Sequence, residues 1–244
     1  MSGPGLFGKL PYRGDFIYRE LPKSFTTPWD HWLQDGLATA RQQLGEAWLE
    51  PYLIAPVWRF SLAKGTLDQR AWLGLLMPSV DKVGRHFPLT LAAPLPSGCL
   101  PPRALLEFDA WLGRAEALCL AALEEQLPWE HFLQQIRDLG MLPQHGVEEA
   151  RAVATDRLQI ELIDTAGAVQ NAYPELLAYL LAGRETSYSL WWTEGSPQVK
   201  PALLFSRALP PAAAFCALLD GAWARWGWTP HPPHTPLLAP GENG

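Results

Sequence analysis

Cysteine is scarce in this chain, and the three present, Cys99, Cys119 and Cys216, are an odd number at wide spacings. That excludes a disulfide framework and a paired thiolate metal motif. Cys119 falls on an apolar helical stripe, so buried free thiols in a reducing compartment are expected. Long apolar runs are missing too: Gly, Pro or charge breaks each one well short of the roughly 20 residues that a membrane span needs. The start, Met1-Ser-Gly-Pro-Gly-Leu-Phe-Gly-Lys9, has neither the basic opening nor the long apolar stretch of a secretory signal, which assigns the protein to the cytoplasm. Clusters of Lys and Arg are lacking as well. With a formal charge of -6, nucleic acid and anionic membranes are poor electrostatic targets, and the expected partner is another protein. Nucleophilic catalysis finds no Gly-x-Ser-x-Gly elbow and no Cys in polar company. Ser79, the one serine near a histidine in the central loop, has only sequence proximity to His86.

What the chain does have is apolar and aromatic mass. Its 244 residues are 48% hydrophobic and 18% charged, with twelve tryptophans, enough for one large or two small globular domains whose interior is dominated by large rings. Leu6–Leu10 and Asp15–Tyr18 read as an opening hairpin around Pro11–Gly14. Thr27 is expected to cap a helix with Pro28 at its first position, its apolar face formed by Trp29, Trp32, Leu33, Leu37, Ala40 and Leu44, and Gly45 as its stop. In 58–62, Trp58, Phe60 and Leu62 alternate with Arg59 and Ser61 as a half-buried strand; 71–77 is apolar on both faces, as a central strand would be; Phe87 to about Ala93 is a third strand. Short links make these three an antiparallel meander. A long helix carries Phe108, Trp111, Leu112, Ala115 and Cys119 inward until Pro128 interrupts it, and a second helix ends at Gly140.

The polar stretch 141–151 separates the chain into residues 1–140 and a C-terminal α/β region, 150–228, packed on it, followed by a flexible, proline-rich tail, 229–244. The second part reads as a strand at 158–162, a helix at 174–181, strands at 188–192 and 202–206, and a last helix from about 211 to 226. In the Trp191-Trp192 pair the two rings must take opposite faces of a strand. The fold class that follows is α/β of the α+β kind: a mixed, mostly antiparallel sheet flanked by helices in a layered sandwich, as one domain or two lobes.

The most informative stretch is Met77-Pro-Ser-Val-Asp-Lys-Val-Gly-Arg-His-Phe-Pro-Leu-Thr90, which sets charge, glycine and proline between two stiff apolar strands. Asp81 and Arg85, four apart around Gly84, suit a turn fixed by an ion pair, with Gly84 at positive φ. A guanidinium on such a loop also offers directional donors to a partner. His86 beside it either contacts a partner or stabilises the turn. Asp15 and Arg19 flank the second short strand; they either join the loop's charges in a buried network or line one recognition face with them. The candidate partner-binding set is therefore Arg85, Asp81, His86, Asp15 and Arg19.

Gly5-Leu-Phe-Gly-Lys-Leu-Pro11, Arg13-Gly-Asp-Phe16 with Arg19, Thr27-Pro-Trp-Asp-His-Trp-Leu33, Ala55-Pro-Val-Trp-Arg-Phe60 and the loop, in that order, resemble successive signatures of TagF, an accessory protein of bacterial type VI secretion. The resemblance covers about residues 5 to 135. It implies a cytoplasmic, non-enzymatic, post-translational repressor of the secretion machine that engages the system's forkhead-associated scaffold protein, with no cofactor.

The competing reading is a nucleotide-dependent switch NTPase. Gly3-Pro-Gly-Leu-Phe-Gly-Lys9 matches G-x-x-x-x-G-K, and Asp164-Thr-Ala-Gly167 follows a strand-like run. Leu10 stands where a Ser or Thr should hold Mg²⁺, and no Asn-Lys-x-Asp motif exists. Metal binding has one hook, His231 and His234, but the surrounding prolines forbid the helix that would aim both rings at one ion. No metal site is assigned.

Overall fold

Trp72–Met77 buries every one of its residues, and that follows from its place. In the computed structural model, which describes residues 3–143, 168–182 and 187–231, this strand is the fourth of seven in one sheet. The strands are β1 (Gly5–Gly8), β2 (Ile17–Arg19), β3 (Trp58–Leu62), β4 (Trp72–Met77), β5 (Leu89–Pro94), β6 (Tyr188–Thr193) and β7 (Ala202–Arg207). Their order is β2-β1-β5-β4-β3-β6-β7. All the described pairings are antiparallel, in line with the mostly antiparallel sheet expected.

Helices cover both faces. On one side lie α1 (Lys23–Leu44), α2 (Leu49–Leu53), α7 (Ala212–Phe215) and α8 (Ala217–Asp220); on the other, α3 (Pro101–Glu107), α4 (Asp109–Leu123) and α5 (Trp129–Asp138). α6 (Ala168–Ala182) packs on α3. Strand alternation separates the two cores. Phe7, Trp58, Phe60, Trp72 and Trp191 point to the α1 side, whereas Leu6, Leu73, Leu75, Leu89 and Leu91 point to α4 and α5. The fold is thus α+β in three layers.

Several local expectations change under tertiary load. α1 begins at Lys23, and Pro28 sits inside it. Starting five residues earlier buries Phe25 against Trp29 and Trp72, with ring centroids 5.3 and 4.7 Å apart, and that contact outweighs the hydrogen bond that Pro28 cannot donate. β3 is not half-buried: Ser61 is fully buried, and Arg59 lies under α4, bonded to Asp109 at 2.8 Å and Glu116 at 3.0 Å. The long helix breaks at Phe108 into α3 and α4. The helix expected at 211–226 is three short pieces, α7, α8 and a 3-10 turn at Trp223–Trp226, with Gly221 left-handed between the last two.

The strand expected at 158–162, the 141–151 boundary beyond residue 143, the Asp164–Gly167 motif and the tail from 232 lie outside the described residues. β6 and β7 nevertheless extend the same sheet through β3, Arg59 facing Trp192 and Phe60 facing Trp191. The three cysteines are free and buried. Burial pushes the Cys99 thiol up to about 12 and that of Cys216 to about 11.

Candidate functional site

The 77–90 loop leaves β4 at Pro78 and returns through an isolated bridge between Val80 and His86. At its centre is a carboxylate with almost no contact with water. The Asp81 side chain has 0% exposure, and four donors converge on it. Lys9 Nζ donates to Oδ2 at 2.9 Å, Arg85 Nε to Oδ2 at 2.6 Å, and the Val83 and Arg85 amides to Oδ1 at 3.1 and 2.8 Å. Burial alone would raise this carboxyl's pKa, but Lys9 and then Arg85 and the amides outweigh it and hold Asp81 far below the ordinary range. Gly84 takes φ +84°, closing the turn under the carboxylate as the spacing predicts.

Lys9 stood in the sequence as the end of a phosphate-loop pattern and inside the Gly5–Pro11 family signature, with no partner indicated, and the structure gives those residues other work. Gly5–Gly8 is strand β1, not a loop leading into a helix. Gly8 has φ +127°, and a Cβ there would collide with the Pro88 carbonyl. Lys9 is 5% exposed with its ammonium spent on Asp81. Nothing in this geometry cradles a phosphate. Ser79 likewise is not poised beside His86: its hydroxyl donates to the Lys9 carbonyl at 2.7 Å. The loop is stitched further to the 10–14 turn, since the Lys82 amide donates to the Arg13 carbonyl at 3.1 Å and Arg85 Nη2 to the Gly14 carbonyl at 2.5 Å.

Of the five candidate residues, three come together. Asp81 is the buried centre. Arg85 straddles it, with its side chain still 61% exposed, so it both fixes the turn and presents a guanidinium outward. His86 packs edge-on between Trp48 and Tyr52, 5.7 Å from each ring. Asp15 is exposed and takes part in no ion pair among the described residues. Arg19 is exposed and donates to the Tyr18 carbonyl at 3.0 Å. Neither joins the buried network.

Residues outside the candidate partner-binding set complete the face. Tyr52 donates its hydroxyl proton to the Ser79 carbonyl at 2.7 Å and accepts from the Ser79 amide at 3.0 Å, tying α2 to the loop. Phe16 stands over the buried Phe87, centroids 4.7 Å apart, with Tyr18 next to it and the Lys9 ammonium 5.1 Å from its ring. The Arg41 guanidinium lies over Trp48 at 4.5 Å. An alternating pattern with aromatics on a very short edge strand was the available signal for Phe16 and Tyr18. Arg41 and Trp48 had none, because α1 and the 3-10 turn at Gly45–Trp48 that follows it bring them to the loop.

Partial burial, with Arg41 next and Lys9 adding to it, lowers the His86 pKa against the pull of Asp81. The His86 ring protons should titrate with a midpoint below the ordinary value of about 6.5; a midpoint above it would mean that the ring does not sit in this partly buried setting near Arg41 in solution.

Among the described residues no group of His, Cys, Asp and Glu is placed to hold a metal ion, and His234 lies outside them. No helix in them is long and apolar enough to cross a membrane. Comparison with known proteins adds to this geometry. No curated protein matches. A crystal structure of PA0076 from Pseudomonas aeruginosa PAO1 is 34% identical, with a TM-score of 0.77, over 97% of this chain and 100% of that one. Residues 5–139 match the type VI secretion system-associated TagF N-terminal domain, a span that holds β1 to β5, the 77–90 loop and its aromatic rim. On that match the chain belongs to the TagF family of type VI secretion-associated proteins.

Proposed function

We propose that this protein restrains type VI secretion after translation, in the cytoplasm and without a catalytic step, by docking on the forkhead-associated scaffold protein of the system through the face built on the 77–90 loop. The reading rests on Arg85: a guanidinium 61% exposed on a loop whose backbone is pinned by a buried carboxylate. Such a group is pre-organised for a partner, because its geometry is fixed before binding and little rotamer freedom remains to be lost. Family membership supports the setting. Nothing in the geometry favours the nucleotide switch, since Lys9 is occupied and buried.

The test is co-purification with the scaffold protein and a secretion assay on Arg85→Ala. Asp81 keeps Lys9 and two amide donors in that variant, so the loss of stability should be about 1 to 2 kcal/mol. Scaffold binding and repression should both disappear. A variant that folds, binds the scaffold and still represses would remove Arg85 from the interface.

A further inference from the structure

Around the loop the cations Lys9, Lys82, Arg85 and Arg41 outnumber the carboxylates of the buried Asp81, of the exposed Asp15 next to Phe16 and of Asp30 near Tyr18, against the negative sign of the whole chain. The buried triad sets two cations, Lys9 and Arg85, against one carboxylate, Asp81, and so carries one net positive charge. Lys82 is exposed beside it, and Arg41 extends the same sign across Trp48. Neither Lys82 nor Arg41 is paired with a carboxylate among the described residues. Beside the Lys9 ammonium lie Phe16, 37% exposed, and, next to it, Tyr18, 51% exposed. The rest of the chain must be more negative than its overall -6.

We propose that this cationic, aromatic strip, from Arg41 through His86 and Arg85 to Phe16 and Tyr18, docks an acidic segment of a partner protein. The inference rests on the reading that the loop face is the protein's docking surface, and it names the partner's chemistry there. An anionic partner is repelled by most of this molecule and attracted by the strip, which selects its orientation as well as its contact. Phe16 and Tyr18 supply rigid apolar area beside the charges, the composition found at the centres of protein interfaces.

Other occupants fit less well. A second copy related by a two-fold axis would set the strip against its own like charge. Nucleic acid would need a longer run of cations and would meet the net negative charge of the chain. Addition of a strand to the β2 edge is disfavoured, because β2 has three residues and the Tyr18 carbonyl is already capped by Arg19. Docking is therefore through side chains.

The experiment replaces Tyr18 with the photo-crosslinker p-benzoylphenylalanine in the full chain, in cells expressing the secretion system, and identifies the captured segment by mass spectrometry. An acidic protein segment is expected. Its capture should fall roughly tenfold when Arg41→Glu and Lys82→Glu are combined, recover with Arg41→Lys and Lys82 intact, and weaken as salt is raised. An acidic segment of the forkhead-associated protein supports both readings. An acidic segment of a different protein supports this inference and overturns the scaffold partner, whereas a neutral or basic segment of the scaffold protein does the reverse. Capture of nucleic acid, lipid or a second copy of this chain, capture indifferent to the charge reversals, or no capture at all overturns the acidic-segment proposal.

Discussion

Asp81→Ala should destabilise the fold by about 3 to 5 kcal/mol, read as a shift of the urea midpoint, because it leaves the 5% exposed ammonium of Lys9 without its counter-charge and removes the acceptor of two loop amides. Lys9→Met should cost less, since Asp81 keeps Arg85 and both amides. The double variant Lys9→Met/Asp81→Ala should recover part of the loss, as no unpaired charge then remains buried. The wild type also carries an acid signature. Because the Asp81 pKa is depressed in the folded state, its contribution is fully present above the unfolded value of about 3.9 and is lost as pH falls below it. Stability measured from pH 5 downward should therefore drop more steeply in the wild type than in Asp81→Ala. Parallel acid limbs in the two proteins would mean that the carboxylate is hydrated and unpaired.

The second large effect is expected at Trp191. Its ring is fully buried and lies against Trp29, Trp32 and Phe60, with centroids 6.0, 5.3 and 5.4 Å away, and its Nε1 donates to the Ser189 hydroxyl at 2.9 Å. Trp191→Ala should cost about 3 to 5 kcal/mol through lost burial and the cavity left between sheet and α1. Trp192→Ala should cost clearly less, as that ring is partly exposed on the opposite face. The pair separates two views of the chain. If β6 were a loosely attached addition, Trp191→Ala would melt a local transition and leave the bulk of the fold untouched. Pairing of β6 with β3 in the middle of the aromatic core predicts one cooperative transition, shifted as a whole. Two resolved transitions in the variant would sink that prediction.

Much of the scaffold was legible because it depends on local periodicity. β3, β4 and β5 followed from alternation and short links, and β4 was recognisable as central because no polar residue interrupts either of its faces. The Trp191-Trp192 dipeptide had to split across the sheet, since successive side chains in a strand point opposite ways. The Asp81–Arg85 pair around Gly84 was also readable, as its partners lie within four residues. The start of α1 was not, although its stop at Gly45 was: the Thr27-Pro28 start satisfied local capping rules, but Phe25 is buried and the true start lies at Lys23. The broken helices after Leu100 and Pro211 fail for the same reason, because packing against the sheet sets their lengths while periodicity registers only their faces.

The sequence by itself determined the apolar alternation, the turn chemistry of the loop, the absence of disulfide and membrane-spanning patterns, and the family signatures. Tertiary structure decided which charges meet. Lys9 is 72 residues from Asp81, and His86 meets Trp48, itself under the Arg41 guanidinium, only because α1 and the 3-10 turn after it bring both residues to the loop. Asp15 and Arg19, so alike in sequence to Asp81 and Arg85, remain outside the network because β2 is an edge strand that leaves both in water. A buried charge demands a partner from anywhere in the chain, while an exposed one demands none; that requirement is enforced by the three-dimensional environment, and sequence spacing carries no record of it.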